Sequence, residues 1–472
     1  MKSPSIWRTM GKWRTMENMM DAVRYGAGRM CFTRIWAAML AISLFFGGAV
    51  QSSAYAVLAH EALIDSAWDT NIRPLLLKRF SNSTGEELKE AHGYAYGGAI
   101  IQDMGYYPHG SHFFSDLTHY VRSGDFILAL LRDSTDLDGY AFALGALSHY
   151  AADNDGHLMG VNRSVPLLYP KLKKKYGDVV TYEEDPLAHL KTEFGFDVLQ
   201  IAQGRYAPNS YHDFIGFKVS VPLLEQAFQE TYGLDLKNVL ADEEKALGSY
   251  RYDVSRLLPR ATRIAWSLKK DEILKDQPSA TKNKFLYNLS RASYQKNWGN
   301  KYQPPTVRER FLAFLVRILP KIGPLRVLRL ETPTPEAERM FEASFNAGLL
   351  RYRKLLDNVA AGQMELANDN FDTGEVTGPG IYRLHDEAQA ELLDALAKQG
   401  FNGDSSGAWT ELLAFFADPG APYTIKGKPK VWANVQMELE QLRKAASKGA
   451  PRDADDTLHS TGREASSKPL SK

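Results

Sequence analysis

Residues 144–157 read LGALSHYAADNDGH. His149, Asp153 and His157 stand at intervals of four. On an α-helix the first two side chains share one face, about 5–6 Å apart at Cβ. His157 extends the row by a further turn if the helix runs on through Asp155 and Gly156. The apolar Phe142, Leu144, Leu147 and Ala151 anchor this helix and turn its polar row inward. The same periodicity recurs along the chain. Apolar residues at three- and four-residue spacing mark 58–80, 85–102, 111–133, 138–154, 184–203 and 221–230, then stretches near 240–275, 280–297, 306–319, 334–362, 384–399, 408–417 and 429–446. Breakers separate them: SNST at 81–84, YYPHG at 106–110, YAPN at 206–209 and QPP at 303–305. Strand signals are scarce and no internal repeat occurs. The expected class is all-α, a helical bundle with a helical C-terminal extension.

The 472 residues leave room for one large domain or two ordinary ones plus tails. Hydrophobic residues at 44% and charged residues at 24% place the chain among globular proteins. A net charge of +1 gives no reason to expect a nucleic-acid partner. The balance is uneven, however: residues 1–54 hold seven Lys/Arg and two Asp/Glu, leaving 50 basic and 54 acidic residues beyond them. IWAAMLAISLFFGGAVQSSA at 35–54, with a basic flank ending at Arg34 and small residues at Ser52 and Ala54, reads as a secretory signal peptide. Its n-region is long, with Met30 as an alternative start, and cleavage is expected after Ala54 or Ala56. The apolar run is short for an uncleaved membrane anchor. Export to the periplasm or medium is therefore expected. The only cysteine, Cys31, precedes the cut, so the mature chain has no disulfide. From about Lys448 the chain is polar and Ser-rich and reads as a disordered tail.

Eight of the eleven histidines fall between residues 60 and 189. Besides the row at His149, LAHLKTEF puts His189 and Glu193 four apart. IIQDMGYYPHGSHFFSDLTHY holds Asp103, His109, His112, Asp116 and His119, and VLAHEAL holds His60. Imidazole with carboxylate and no thiolate suits zinc, with manganese or iron as alternatives. A single HxxxD or HxxxE is a weak signal, since an isolated histidine in a helix is commonly a cap or a satisfied core group. Two such pairs, a third His/Asp cluster and His60 together point to a metal site.

AHEALIDSAW, DMGYYPHGSHFFSDLTHYVRSGDF, GALSHYAADNDGHLMG and AHLKTEF resemble the bacterial zinc-dependent phospholipase C family over roughly residues 55–200. SHYAADNDGHLMG is similar to the catalytic domain of glycosylphosphatidylinositol-specific phospholipase D, and the single-strand-specific zinc nucleases share the superfamily. The resemblance implies an all-α domain, placed at 55–235, holding three zinc ions. By that resemblance Asp103, His112 and His149 hold the first zinc, and Asp153 bridges it to a second held by His60 and the mature N-terminal residue, Tyr55. His157, His189 and Glu193 hold the third. GSHFFSD matches the family's histidine motif better than LTHY, which selects His112 over His119. Tyr55 stands where the best-known members have Trp. The four-residue spacing of Asp153 and His157 matches the phospholipase D-like branch rather than the lecithinases, which use six. Residues 236–447 form a helical extension that the resemblance does not explain.

The implied activity is hydrolysis of phospholipid head-group phosphodiesters by a zinc-activated water, with Asp103 orienting or deprotonating that water and a phospholipid or membrane surface as substrate. A zinc-dependent single-strand nuclease would need aromatic stacking platforms beside a basic groove, which an acidic mature chain disfavours. A non-catalytic metal-binding surface protein is the third reading. Tyr106, Tyr107 and His109 read better as a turn with packed aromatics than as pocket lining. VRERFLAFLVRILPKIGPLRVLRL at 307–330 reads better as an amphipathic helix covering the core than as an interfacial element.

Overall fold

The computed structural model describes residues 57–107, 109–203, 218–240, 331–401 and 406–449, with a few isolated residues between 242 and 275. The signal segment, Tyr55, the stretches near 280–297 and 306–319, nearly all of 240–275 and the tail beyond Gly449 lie outside the described residues.

Helix α1 (Val57–Ala67) passes through a π-helical turn, Trp68–Ile72, into α2 (Arg73–Arg79), which Pro74 helps to start. The SNST breaker ends at Thr84, the N-cap of α3 (Gly85–Ile100). Its hydroxyl accepts from Glu87 N at 3.3 Å while the Glu87 carboxylate accepts from Thr84 N at 2.7 Å. Such a reciprocal cap is worth about 1 kcal/mol. A 3₁₀ turn, Ile101–Tyr106, leads on to α4 (His112–Tyr120) and α5 (Ser123–Asp133). The single helix expected over 111–133 is broken because Arg122 adopts a left-handed φ of 51°. Its guanidinium holds that corner, donating to Thr231 O at 2.6 Å and to Asp125 at 2.8 Å.

Helix α6 (Leu137–Asp155), N-capped by Asp136, is buried on every side from Gly139 to Asp155 and forms the axis of the molecule. It runs on through a π-helical turn, Gly156–Val161, so the row containing His157 continues as expected. Next come α7 (Asn162–Leu168), α8 (Pro170–Tyr176), α9 (Pro186–Gln203), α10 (Val221–Tyr232) and the short α11 (Leu236–Val239). The C-terminal segment contributes α12 (Pro335–Ala361), a hairpin of β1 (Asp369–Asn370) and β2 (Glu375–Val376), α13 (Arg383–Lys398), α14 (Ser406–Phe415) and α15 (Pro429–Gly449). The helical patterns read near 334–362, 384–399, 408–417 and 429–446 thus form helices. The two-residue strands had no counterpart in the sequence reading.

Two glycines set the close contact between α3 and α6. A Cβ on Gly98 would lie 1.9 Å from Phe142 O, and one on Gly145 would lie 2.1 Å from Ala95 O. Only bare backbone lets α3 and α6 approach this closely. The approach brings the end of α3, and the turn bearing Asp103, against the middle of α6.

The C-terminal segment shares this core rather than lying apart from it. Phe341, Tyr352 and Leu356 of α12 and Leu392 and Leu396 of α13 belong to one apolar cluster with Phe142 and Leu147. Tyr352 donates to Leu144 O at 2.9 Å, and Arg351 grips Asp155 through two bonds of 2.9 and 3.0 Å. No helix among the described residues is long and apolar enough to cross a membrane.

Candidate metal centre

Six elements deliver polar side chains to one buried region. Helix α1 brings His60, the 3₁₀ turn Asp103, α4 His119, α6 His149 and Asp153, the π-helical turn His157, and α9 His189 and Glu193. None of these is more than 3% exposed. The hairpin adds Asp372, 1% exposed at its side chain. Three groups of donor atoms lie within 4.8 Å of one another: His60, Asp103 and His149; His119, His149 and Asp153; and His157, His189 and Asp372.

Asp153 sits at the junction. Its Oδ2 lies 3.0 Å from His149 Nε2, 3.6 Å from His119 Nε2 and 3.8 Å from His157 Nε2, and its Oδ1 lies 3.4 Å from His60 Nε2. Asp103 Oδ1 is 3.3 Å from His119 Nε2 and 3.8 Å from His149 Nε2. Both carboxylates are fully buried, yet neither makes a hydrogen bond through either oxygen. On α9, Asp197 accepts from Leu58 N at 3.2 Å and so ties down the start of α1, two residues before His60. Burial pushes the Asp197 carboxyl up to about 8, against those backbone bonds.

The histidine rings are oriented from behind. His149 Nδ1–H donates to Ala99 O at 2.9 Å and His119 Nδ1–H to Ser115 O at 2.8 Å, which leaves both Nε2 atoms facing Asp103 and Asp153. The two Nε2 atoms are 3.3 Å apart. Such a contact between ring nitrogens is repulsive unless a proton or a metal cation lies between them. An oxygen acceptor behind each ring and a bare nitrogen in front is the arrangement in which histidines bind metal.

Electrostatics reinforce this. Burial alone would lower the His149 imidazolium, but Asp153 and Asp103 outweigh it and push the ring up to about 9. Burial beside His149 pulls His60 down to about 4. Burial, with Asp153 and Asp103 nearby, drives the Glu193 carboxyl well above its ordinary range. Among the described residues no lysine or arginine pairs with Asp103, Asp153, Glu193 or Asp372. Buried carboxylates need cationic partners, and here the chain itself supplies only imidazoles. The donor set, the orphaned oxygens and the missing positive charge fit zinc.

Of the candidates read from sequence, the structure brings His60, Asp103, His149, Asp153, His157, His189 and Glu193 together. Tyr55 lies outside the described residues. The structure places the two α4 histidines differently from what the resemblance implies: His112 opens α4, is exposed and belongs to none of the three groups, whereas His119 is buried against Asp103 and His149. The two are seven residues apart, on nearly the same helix face but about 10 Å apart along the axis. Spacing cannot choose between them. The end of α4 that meets α6 carries His119 into the cluster and leaves His112 outside it. The YYPHG turn behaves as packed aromatics in part, with Tyr106 buried and edge-on to His119 at 5.9 Å.

Residues 59–241 match the family model described as zinc dependent phospholipase C. This part of the chain belongs to that family. No curated protein and no solved structure matches the chain. The family segment contains every residue of the buried cluster except Asp372, which the sequence reading missed. NDNFDTG at 368–374 carries turn-forming residues but no metal-ligand spacing, and Asp372 lies 215 residues beyond His157.

Proposed function

We propose that the chain is an exported zinc-dependent phosphodiesterase, phospholipase C-like, that hydrolyses the head-group phosphodiesters of phospholipids. The observation that best supports this is the set of buried Asp103 and Asp153 oxygens, none of them in a hydrogen bond, gathered against the Nε2 atoms of His119 and His149.

Asp103, His119, His149 and Asp153 would hold one zinc. His60 and Asp153, with the mature amino terminus, would hold a second. His157, His189 and Glu193 would hold a third. When bound, zinc lowers the pKa of water towards 7 and offsets charge on phosphoryl oxygens. The chain's own residues do the rest. Asp153 is shared between neighbouring subsites, its two oxygens pointing at different histidines. Asp103, with both oxygens free of hydrogen bonds beside His119 and His149, is placed to accept a proton while staying in the cluster. The absence of lysine and arginine pairing there, among the described residues, leaves phosphoryl charge to the metals rather than to a cationic clamp. A lipid surface is the expected partner.

The test is metal analysis of the mature protein with N-terminal sequencing and hydrolysis of phosphatidylcholine. Two or more zinc ions per chain and a phosphodiesterase activity that chelation abolishes are expected. Fewer than two ions and no chelator-sensitive activity would overturn the proposal. Zinc-dependent cleavage of single-stranded DNA without lipid hydrolysis would move the chain to the nuclease branch.

A further inference from the structure

Besides Glu193, a second acidic residue reaches the third subsite from outside the family segment, on the hairpin between α12 and α13. Asp372 lies in the four-residue loop joining β1 and β2, shaped by its own backbone. Asp372 N and Thr373 N donate to Asn370 Oδ1 at 2.9 and 3.2 Å, and Gly374 turns the chain with a φ of 72°. The hairpin is docked onto the elements that carry the histidines. Phe371 N donates to His119 O at 3.1 Å, Tyr150 donates to Asp369 Oδ2 at 2.7 Å, and Asn162 Nδ2 donates to Asp372 O at 2.7 Å. Phe371 packs edge-on against His119 at 5.3 Å.

Asp372 has its oxygens in use. Its Oδ1 accepts from His157 Nδ1–H at 2.7 Å, and its Oδ2 accepts from Tyr182 N at 2.9 Å and from the Tyr382 hydroxyl at 2.8 Å. Two ligands of one tetrahedral zinc, each about 2.0–2.1 Å from the ion, would sit roughly 3.3 Å apart. A separation of 2.7 Å between Nδ1 and Oδ1 is instead that of a charge-assisted hydrogen bond. His189 is held in the complementary way, its Nε2–H donating to Asn162 Oδ1 at 2.6 Å. His157 Nε2 makes no hydrogen bond, and His189 Nδ1 and Glu193 Oε1 face each other at 2.5 Å, a contact that an ion between them would have to open. These atoms, rather than Asp372 with both its oxygens already engaged by N–H and O–H donors, are the donors available to an ion.

We propose that Asp372 is a positioning residue of the zinc centre: it holds the Nδ1–H of His157, commits Nε2 to the metal, and makes the C-terminal segment a working part of that centre. The proposal rests on the zinc reading above but not on the identity of the substrate. Outer-shell carboxylates of this kind raise the basicity of the ligating imidazole and fix its tautomer, and their loss costs 10–100-fold in metal affinity.

The experiment uses the full mature chain and reads zinc directly, by elemental analysis and by competition with a chelator of known affinity. Asp372→Ala is expected to weaken one of the bound zinc ions by about 10–100-fold and leave the others in place. Asp372→Asn keeps an oxygen that can accept the His157 proton but loses the acceptor for Tyr182 N, so it should weaken zinc binding clearly less than Asp372→Ala does. Unchanged zinc affinity in Asp372→Ala would overturn the proposal. Loss of the ion in Asp372→Asn as complete as in Asp372→Ala would also overturn it, since that pattern marks a direct ligand. Should Asp372→Ala fail to fold by circular dichroism, long-range ¹H–¹⁵N correlation on the zinc-loaded wild type decides: a protonated Nδ1 on His157 supports the proposal and a metal-bound Nδ1 overturns it. Failure of the functional reading would show separately, as absent phosphodiesterase activity in a chain whose zinc still depends on Asp372.

Discussion

Three of the buried histidines owe their direction to a specific oxygen behind the ring: Ala99 O for His149, Ser115 O for His119 and Asp372 Oδ1 for His157. A fourth, His189, is reversed, with Asn162 Oδ1 behind Nε2. At this scale the choice between His112 and His119 has measurable consequences. His119→Ala is expected to lose zinc and at least tenfold in phosphodiesterase activity, by analogy with loss of a metal-supporting group. His112→Ala, an exposed change at the start of α4, should shift stability by less than about 0.5 kcal/mol and leave zinc content intact. Zinc analysis of the two variants checks this, and zinc loss in His112→Ala alone would restore the sequence-based assignment. His60, His149, Asp153, His157, His189 and Glu193 were legible because helical spacing or local pattern marked them. Asp372 was not, because a hydrogen bond spanning 215 residues leaves no local periodicity.

Among elements, the α3–α6 contact controls the cluster's shape. Gly98→Ala would force its Cβ to within 1.9 Å of Phe142 O, a backbone atom that cannot step aside. Overpacking of this kind costs about 1–3 kcal/mol or more. It should also move Ala99 O away from His149. The expected result is a lower denaturation midpoint together with weaker zinc binding. A stability loss with unchanged zinc affinity would show that the two helices are not coupled to the site in this way. The α4–α13 interface makes a different prediction. Burial, with Glu391 and Glu387 opposite, pushes the Asp116 carboxyl up to about 7 despite Arg383. Because this folded-state value lies above the unfolded one near 3.9, the folded chain binds the extra proton between them. Asp116 therefore favours folding at low pH, and stability declines as pH rises from about 4 to about 7. Asp116→Asn should remove that slope and stabilise the protein at neutral pH by about 1–2 kcal/mol after allowance for solvent screening. Chemical denaturation at pH 5 and pH 7.5 measures it, and an unchanged pH slope would contradict the assignment.

For the whole molecule, the metal centre is also a point of attachment. It gathers side chains from α1, α4, α6 and α9, while the hairpin reaches it from the C-terminal segment. Zinc bound there stabilises the folded state by mass action, since the unfolded chain has no such site. Chelation should therefore lower the thermal midpoint by several degrees, and added zinc should restore it. A midpoint indifferent to chelator would mean that the cluster binds no ion tightly enough to matter. The sequence marks residues 236–447 as a helical extension that the family resemblance does not explain. In the folded chain α12 and α13 fill the same core as α6.

The all-α class follows from the sequence by itself, because a 3.6-residue apolar period and well-placed caps depend only on near neighbours. The chemistry of the site follows equally, since eight histidines among carboxylates between 60 and 189 name the donor types without any coordinates. The tertiary structure decided which of two histidines on α4 is buried against Asp103 and His149, where Arg122 breaks the helix, and that Asp372 stands behind His157. Each of those depends on atoms brought together from distant parts of the chain. Periodicity carries no information about such contacts; close packing creates them.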